Sequence, residues 1–297
     1  MNRNITNMSI IYENFSNQKK IKGIVHISHG MAEHIGRYKW LINKFNNDGF
    51  HVISIDHRGH GKWLDNPNNI QGFFHKKNGW SQVTNDLREL ILDTNKKYPN
   101  INQYLFAHSM GSWIGLSAIL KPLPLKGLII SGSTKLPKFL IYIQILLIKI
   151  AVIFQGKEGV SSFLDLITIR SYNNKFKPNR TNSDWISTDD QNVDEYVQDK
   201  LCGFLVTNSL WLDMSEGFLE IFNIKNYEYV DKDMPILLIS GTLDAVGDFG
   251  KGSPKLARML NKVFKKVDSV IVQDEKHEVF SGTLKESSYK IIKNFLN

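Results

Sequence analysis

The stretch 103–113, QYLFAHSMGSW, constrains the fold more than any other part of the chain: a short apolar run meets a serine set between small residues and continues into a helix-compatible segment. This pattern predicts a strand, a sharp turn at Ser109 and a helix. So tight a turn demands small neighbours, and Ala107 stands two residues before Ser109 while Gly111 stands two after. An ordinary strand-to-helix turn can look the same, so the role of Ser109 depends on what else the chain places at strand ends.

Around this element, strands and helices alternate. Strands are expected over 9–13 and 21–28, the latter ending at His29-Gly30. Tyr38, Leu41, Ile42 and Phe45 then recur at helical spacing until Gly49. The stretch 51–56 reads as a strand. A loop rich in Gly, Asn and Pro leads to a helix with Val83, Leu87, Leu90 and Ile91 on one face, which precedes the strand delivering Ser109. Another strand is expected over 125–131. The alternation is lost from 132 to about 217 and returns with an apolar strand over 235–240, a helix around 254–264, a strand over 269–272 and a closing helix. The expectation is an α/β fold with a mostly parallel central sheet and helices on both faces. Residues 1–132 and 217–297 would form this core, and 133–216 an inserted, mainly helical cap.

At 297 residues with 42% apolar side chains, the chain can fill such a core and is not a disordered polymer. The single cysteine, Cys202, excludes an internal disulfide framework and is expected as a small buried residue. The first fifteen residues are polar, without the apolar stretch of a signal peptide, so a cytoplasmic location is expected. A net charge of +8 favours contact with something anionic, whether phospholipid headgroups, an acidic substrate or nucleic acid, with a solvated lysine-rich surface as the plainer reading. The basic residues are scattered apart from Lys262, Lys265 and Lys266, and no nucleic-acid motif accompanies them, so no nucleic-acid partner is expected. Metal-ligand spacings and phosphate-cradling glycine loops are absent from the sequence, and neither a metal nor a cofactor is expected.

Three further groups fall at strand ends, where open α/β sheets place their sites. Gly30 permits a tight turn from which the amide of Met31, beside that of Met110, would form an oxyanion hole for a tetrahedral intermediate. Asp244 closes Gly241-Thr242-Leu243-Asp244 after one strand, and His277 lies in the loop after another. With Ser109 they stand in the order nucleophile, acid, base, each behind its own expected strand. Such a set performs acyl transfer: the serine attacks, the histidine takes its proton, and the aspartate holds the imidazole. His57 and His60, in a turn with two glycines, read instead as structural hydrogen-bonding residues.

These residues resemble the bacterial lysophospholipase and monoacylglycerol lipase branch of the α/β-hydrolases, within the serine aminopeptidase S33 or hydrolase-4 group. His29-Gly30, Glu33-His34 and Arg37-Tyr38 are similar to its HGxxEHxxRY, and 56–61 reproduce its DHRGHG. Residues 108–111 match GHSMGG apart from Ala107 and Ser112. The insertion has similar pieces at 180–187 and 199–207, and 244–252 and 276–278 resemble the acid and histidine segments. Ala245 and Lys200 stand where proline is usual, and Ser281 where glutamate is common; none is a triad position. The resemblance implies a cofactor-independent serine hydrolase that cleaves carboxylic esters of lipids, lysophospholipid or monoacylglycerol, through an acyl-enzyme on Ser109.

The stretch 139–154 supports the lipid substrate. As a helix it would be apolar nearly all round, with only Lys138, Tyr142 and Lys149 aligned as a polar stripe. At roughly 24 Å it is shorter than a bilayer core of roughly 30 Å, and it includes Gln144 and Lys149, so a membrane span is not expected. Two accounts of this helix stand: it is buried entirely within the cap, or, as the resemblance favours, Ile143, Leu147 and Ile150 line an acyl-chain tunnel and the cap is the face that meets a membrane or micelle. The alternatives are an esterase, peptidase or carbon–carbon hydrolase for small polar substrates on the same fold, and a catalytically silent scaffold. The apolar helix argues against the first, and the complete set of triad residue types against the second.

Overall fold

The computed structural model describes residues 11–297. Seven strands form one sheet in the order β1 (Ile11–Asn14), β3 (Phe50–Ile55), β2 (Gly23–Ser28), β4 (Gln103–His108), β5 (Leu125–Ser131), β6 (Ile236–Gly241) and β7 (Val267–Val272). β1 is antiparallel to β3, and every other pairing is parallel. Of the first strand expected at 9–13, Ser9 and Ile10 lie outside the described residues. The core helices before the insertion are α1 (Lys39–Asn47), α2 (Gly79–Lys97) and α3 (Met110–Ala118).

Successive side chains on a strand point to opposite faces, and the central strands fill both. Val25, Ile27, Phe106 and Ile129 join Leu41 and Phe45 of α1 on one face. Leu105, Ala107, Leu128 and Ile130 join Leu87 of α2 and Ile114 of α3 on the other. This two-sided burial explains the nearly continuous apolar runs in the sequence.

Between β5 and β6 the chain forms α4 (Lys138–Gln155), α5 (Ser162–Ile167), α6 (Ile169–Asn173), α7 (Asp190–Gln198) and α8 (Asn208–Ile221). After β6 come α9 (Gly252–Leu260), which covers the α3 side, and α10 (Lys285–Leu296), which covers the α1 side. α8 packs against α2 and α3 and, on its other side, against α4. α4 starts after Pro137 and stops at Gly156, whose φ of +76° suits glycine. Only Ile141, Ile148 and Ala151 of α4 are buried, a narrow stripe that packs into the α8 side of the core. Phe139, Leu146, Ile150, Ile153 and Phe154 are exposed on the outside.

Candidate active site

Ser109 sits between β4 and α3 with φ +51° and ψ −122°, a conformation unfavourable for any residue but glycine. The surrounding backbone holds it there. Ser109 N–H donates to the Ser131 carbonyl at 2.9 Å, and a Cβ at Gly111 would collide with the carbonyl oxygens of Ser28 and His29. The turn therefore requires the small residues that the sequence supplies.

Asp244 and His277 lie beyond β6 and β7, and the fold brings them together. His277 Nδ1 and Asp244 Oδ1 are 2.9 Å apart, and both side chains are buried. Asp244 Oδ2 accepts from Ser240 Oγ at 2.8 Å, and Oδ1 also accepts from the Val246 amide at 3.0 Å. Burial alone would raise the Asp244 carboxyl, but His277, with the Gly247 amide and the Ser240 hydroxyl, outweighs it, so its pKa is lowered. Burial alone would discharge His277, but the charge and hydrogen bond of Asp244 outweigh that, and the imidazole is raised above its ordinary 6.5. His277 Nε2, on the opposite side of the ring, has no hydrogen-bond partner among the described residues.

The ring of His277 is wedged between His108, at a centroid distance of 4.7 Å, and Trp185 of the insertion, at 5.1 Å. A side chain on Gly132 would come within 2.8 Å of the imidazole, which explains a glycine at the end of β5. Trp185 also lines a cavity of about 90 Å³ together with Ser109, Met31 and Met110. The amide of Met110 opens α3, and the first amides of a helix have no partner within it. The structure thus gathers a strained serine, two residues with candidate oxyanion amides and, across Trp185, a histidine oriented by a buried carboxylate. Such a constellation is suited to nucleophilic attack on a carbonyl carbon.

Ile143, Leu147 and Ile150 correct the expectation drawn from the sequence, because none of them lines this cavity. Ile143 and Ile150 are 50% and 44% exposed on the outer face of α4, and Leu147 is partly buried against the core cluster. The apolar wall comes instead from Ile169 and Tyr172 of α6, Phe204, and Trp211 and Met214 of α8. α8 occupies the inner position, and α4 packs on it from outside. Sequence spacing also missed that Asp199 approaches His34 from the far end of the insertion, with Cys202 beside them and the donor atoms within 4.8 Å of one another. His34 Nδ1 accepts from the Gly36 amide, which leaves its proton on Nε2 to donate to Asp199 at 2.9 Å. Burial pushes the Cys202 thiol well up. His57 and His60 are buried and bonded to Ser28 Oγ and the Arg58 carbonyl.

Residues 19–281 match the family described as serine aminopeptidase S33, hydrolase-4. The chain belongs to this family. It is 28% identical over 105 residues to a monoacylglycerol lipase of Mycolicibacterium smegmatis, covering 35% of each chain. It is 33% identical over 97 residues to a monoglyceride lipase homolog of monkeypox virus, covering 33% of each. The matched region spans about a third of these curated relatives. Whole-chain likeness comes from solved structures. A thermostable carboxyl esterase from Bacillus coagulans superposes with a TM-score of 0.84 at 26% identity, over 97% of this chain and 94% of that one. A soluble variant of Saccharomyces cerevisiae monoglyceride lipase gives 0.74 at 19% identity, over 97% and 90%. The fold of this S33 member is the α/β-hydrolase fold.

Proposed function

We propose that this S33 protein is a serine esterase that cleaves lipid monoesters, monoacylglycerol foremost, through an acyl-enzyme on Ser109. The observation that carries this is His277: one ring nitrogen is fixed on buried Asp244 and the other is free, beside the cavity that holds Ser109. In this reading Ser109 Oγ attacks the ester carbonyl carbon as its proton passes to His277 Nε2. The amides of Met31 and Met110 take the charge that develops on oxygen, and each such donor is worth about 2.7–4 kcal/mol in the transition state. Collapse of the intermediate breaks the ester bond, and His277 returns the proton to the leaving alcohol. Water, deprotonated by His277, then attacks the acyl-enzyme, releasing the fatty acid and restoring Ser109. The cavity walls of Trp113, Trp211, Met214 and Phe204 support an apolar acyl group over a small polar substrate.

The partner surface belongs to the same reading. α4, with a mean hydropathy of 1.9, is long and apolar enough to cross a membrane by length and composition. Its ends argue for lying on the membrane instead. Trp113 Nε1 donates to the Thr134 carbonyl before the helix, and Asn208 Nδ2 to the Gly156 carbonyl after it, so both ends are tied into the same folded unit. From 133 to 157 the chain carries Lys135, Lys138, Lys149 and Lys157 and no acidic residue. An outward apolar face flanked by lysines suits insertion at the boundary of an anionic lipid surface. In this reading 133–216 is the cap that presents α4 to lipid. The central test is Ser109→Ala. It should lose at least about 10³-fold in hydrolysis of monoacylglycerol, should no longer be labelled by a fluorophosphonate, and should keep its circular dichroism spectrum. An active Ser109→Ala protein would refute the mechanism.

A further inference from the structure

The turn that carries Met31 is held from several sides. The Gly30 amide donates to Glu33 Oε1, and the same oxygen accepts the Tyr38 hydroxyl at 2.7 Å. The Gly30 carbonyl accepts from His29 Nδ1 at 2.8 Å. His29 Nε2 accepts the His57 amide at 2.9 Å, which fixes the imidazole proton on Nδ1. Ala32 is held at φ +53°, with its carbonyl accepting the Gly203 amide at 2.9 Å and the Tyr196 hydroxyl at 3.3 Å from the insertion. The turn has no slack at Gly30, where a Cβ would lie 2.6 Å from Glu33 Oε1 and 3.2 Å from Ser109 Cβ.

The carbonyl of Gly30 and the amide N–H of Met31 belong to one planar trans peptide unit and point in opposite directions. A contact that draws the carbonyl onto His29 therefore aims the Met31 N–H the other way. We infer that Glu33 and His29 are positioning residues for the oxyanion donor: Glu33 holds the Gly30 N–H, His29 holds the Gly30 carbonyl, and together they fix the orientation of the Met31 amide.

Neither side chain lines the cavity with Ser109, so both act through the backbone, Glu33 through the peptide between His29 and Gly30 and His29 through the peptide between Gly30 and Met31. The cost of placing a carboxyl here is visible. Glu33 is buried, and burial first, with Glu278 adding, pushes it up to about 7 against the opposing pull of Arg37 and its hydrogen bonds. A buried group this costly is explained if its acceptor oxygen does something an apolar side chain cannot. His29 stays neutral, since burial lowers it to about 4, so Nε2 is free to accept the His57 amide and the single ring proton sits on Nδ1, where the Gly30 carbonyl needs it.

The inference rests on Ser109 as nucleophile and is tested with a short soluble ester and a trifluoromethyl ketone, which forms a tetrahedral adduct on serine. Glu33→Leu should lose about 10²–10³-fold in kcat, keep KM within about threefold, and weaken the ketone by the same factor as kcat/KM. Glu33→Gln, which retains an acceptor oxygen but not its charge, should recover about tenfold of that loss and stay about tenfold or more below the wild type. A folded Glu33→Leu protein with wild-type kcat, or a loss confined to KM with ketone affinity unchanged, overturns the inference. If Glu33→Leu does not fold, the isosteric Glu33→Gln decides: matched losses in kcat and ketone affinity support the role, and no loss in either overturns it. Retained activity in Ser109→Ala would remove the nucleophile itself. An inactive Ser109→Ala alongside unimpaired Glu33 variants would remove this inference alone.

Discussion

Changing Ile153 and Phe154 to serine together tests whether the outer face of α4 meets lipid. These side chains are 78% and 82% exposed, so the folded chain gains little from them and serine removes little from the fold. Helix propensity adds no bias, because isoleucine, phenylalanine and serine are close on that scale. Burying such a side chain fully is worth about 1.5–3 kcal/mol. With most of each surface still available, the pair should contribute about 2–4 kcal/mol to lipid binding, a loss of roughly 30- to 1,000-fold in vesicle partitioning. Co-sedimentation with phosphatidylcholine vesicles reads this loss. Adding phosphatidylglycerol should tighten the wild type about fivefold for each lysine that reaches the headgroups, and salt should reverse that gain. Hydrolysis of a dissolved butyrate ester should stay within about twofold, because neither residue lines the cavity that holds Ser109. Partitioning unchanged within threefold would refute the lipid-facing role. Equal loss on dissolved and vesicle-borne esters would show instead that the helix end supports the active site.

Two further outcomes follow from the cavity and its histidine. Because His277 must be neutral to accept a proton and Asp244 holds its pKa above 6.5, kcat/KM should fall as pH drops through a value above 6.5. In Asp244→Asn the residual activity, lower by about 10⁴, should show this acid limb moved to lower pH; a limb that stays in place would assign it to another group. A cavity of about 90 Å³ has room for roughly six to nine water-sized atoms. Catalytic efficiency on monomeric esters should therefore climb several-fold per added pair of methylenes and level at about six to nine carbons. Narrowing the cavity with Met214→Trp should move that plateau to shorter chains, whereas Ile143→Ser with Ile150→Ser should leave it unchanged. A profile altered only by the α4 substitutions would return the acyl chain to that helix.

What the sequence discloses follows from how locally each feature is determined. The strands that lead to Ser109 and Asp244 are short apolar runs bounded by turn residues, and β7, which leads to His277, ends in the apolar Val270-Ile271-Val272; each is followed within a few residues by the residue that the order of groups singles out. The crowding at Gly111 and Gly132 leaves a direct trace, since only glycine fits against the neighbouring carbonyls and the imidazole. α4 leaves no such trace. A helix apolar on every side carries no periodic signal for its inner face, and Ile141, Ile148 and Ala151 become the buried stripe only because α8 is there to receive them. The same dependence hides Trp185 against His277 and Tyr196 and Gly203 against Ala32, contacts between residues far apart in the chain. It also explains why the choice of Ile143, Leu147 and Ile150 fails while the apolar character of the helix holds. Hydrophobicity is written residue by residue, but whether an apolar side chain faces a cavity, a neighbouring helix or the solvent is decided by the other elements. Here α8 takes the wall of the cavity and leaves α4 with more apolar surface than the fold can cover, and that uncovered remainder is the physical reason to look for lipid on the outside of the insertion as well as within it.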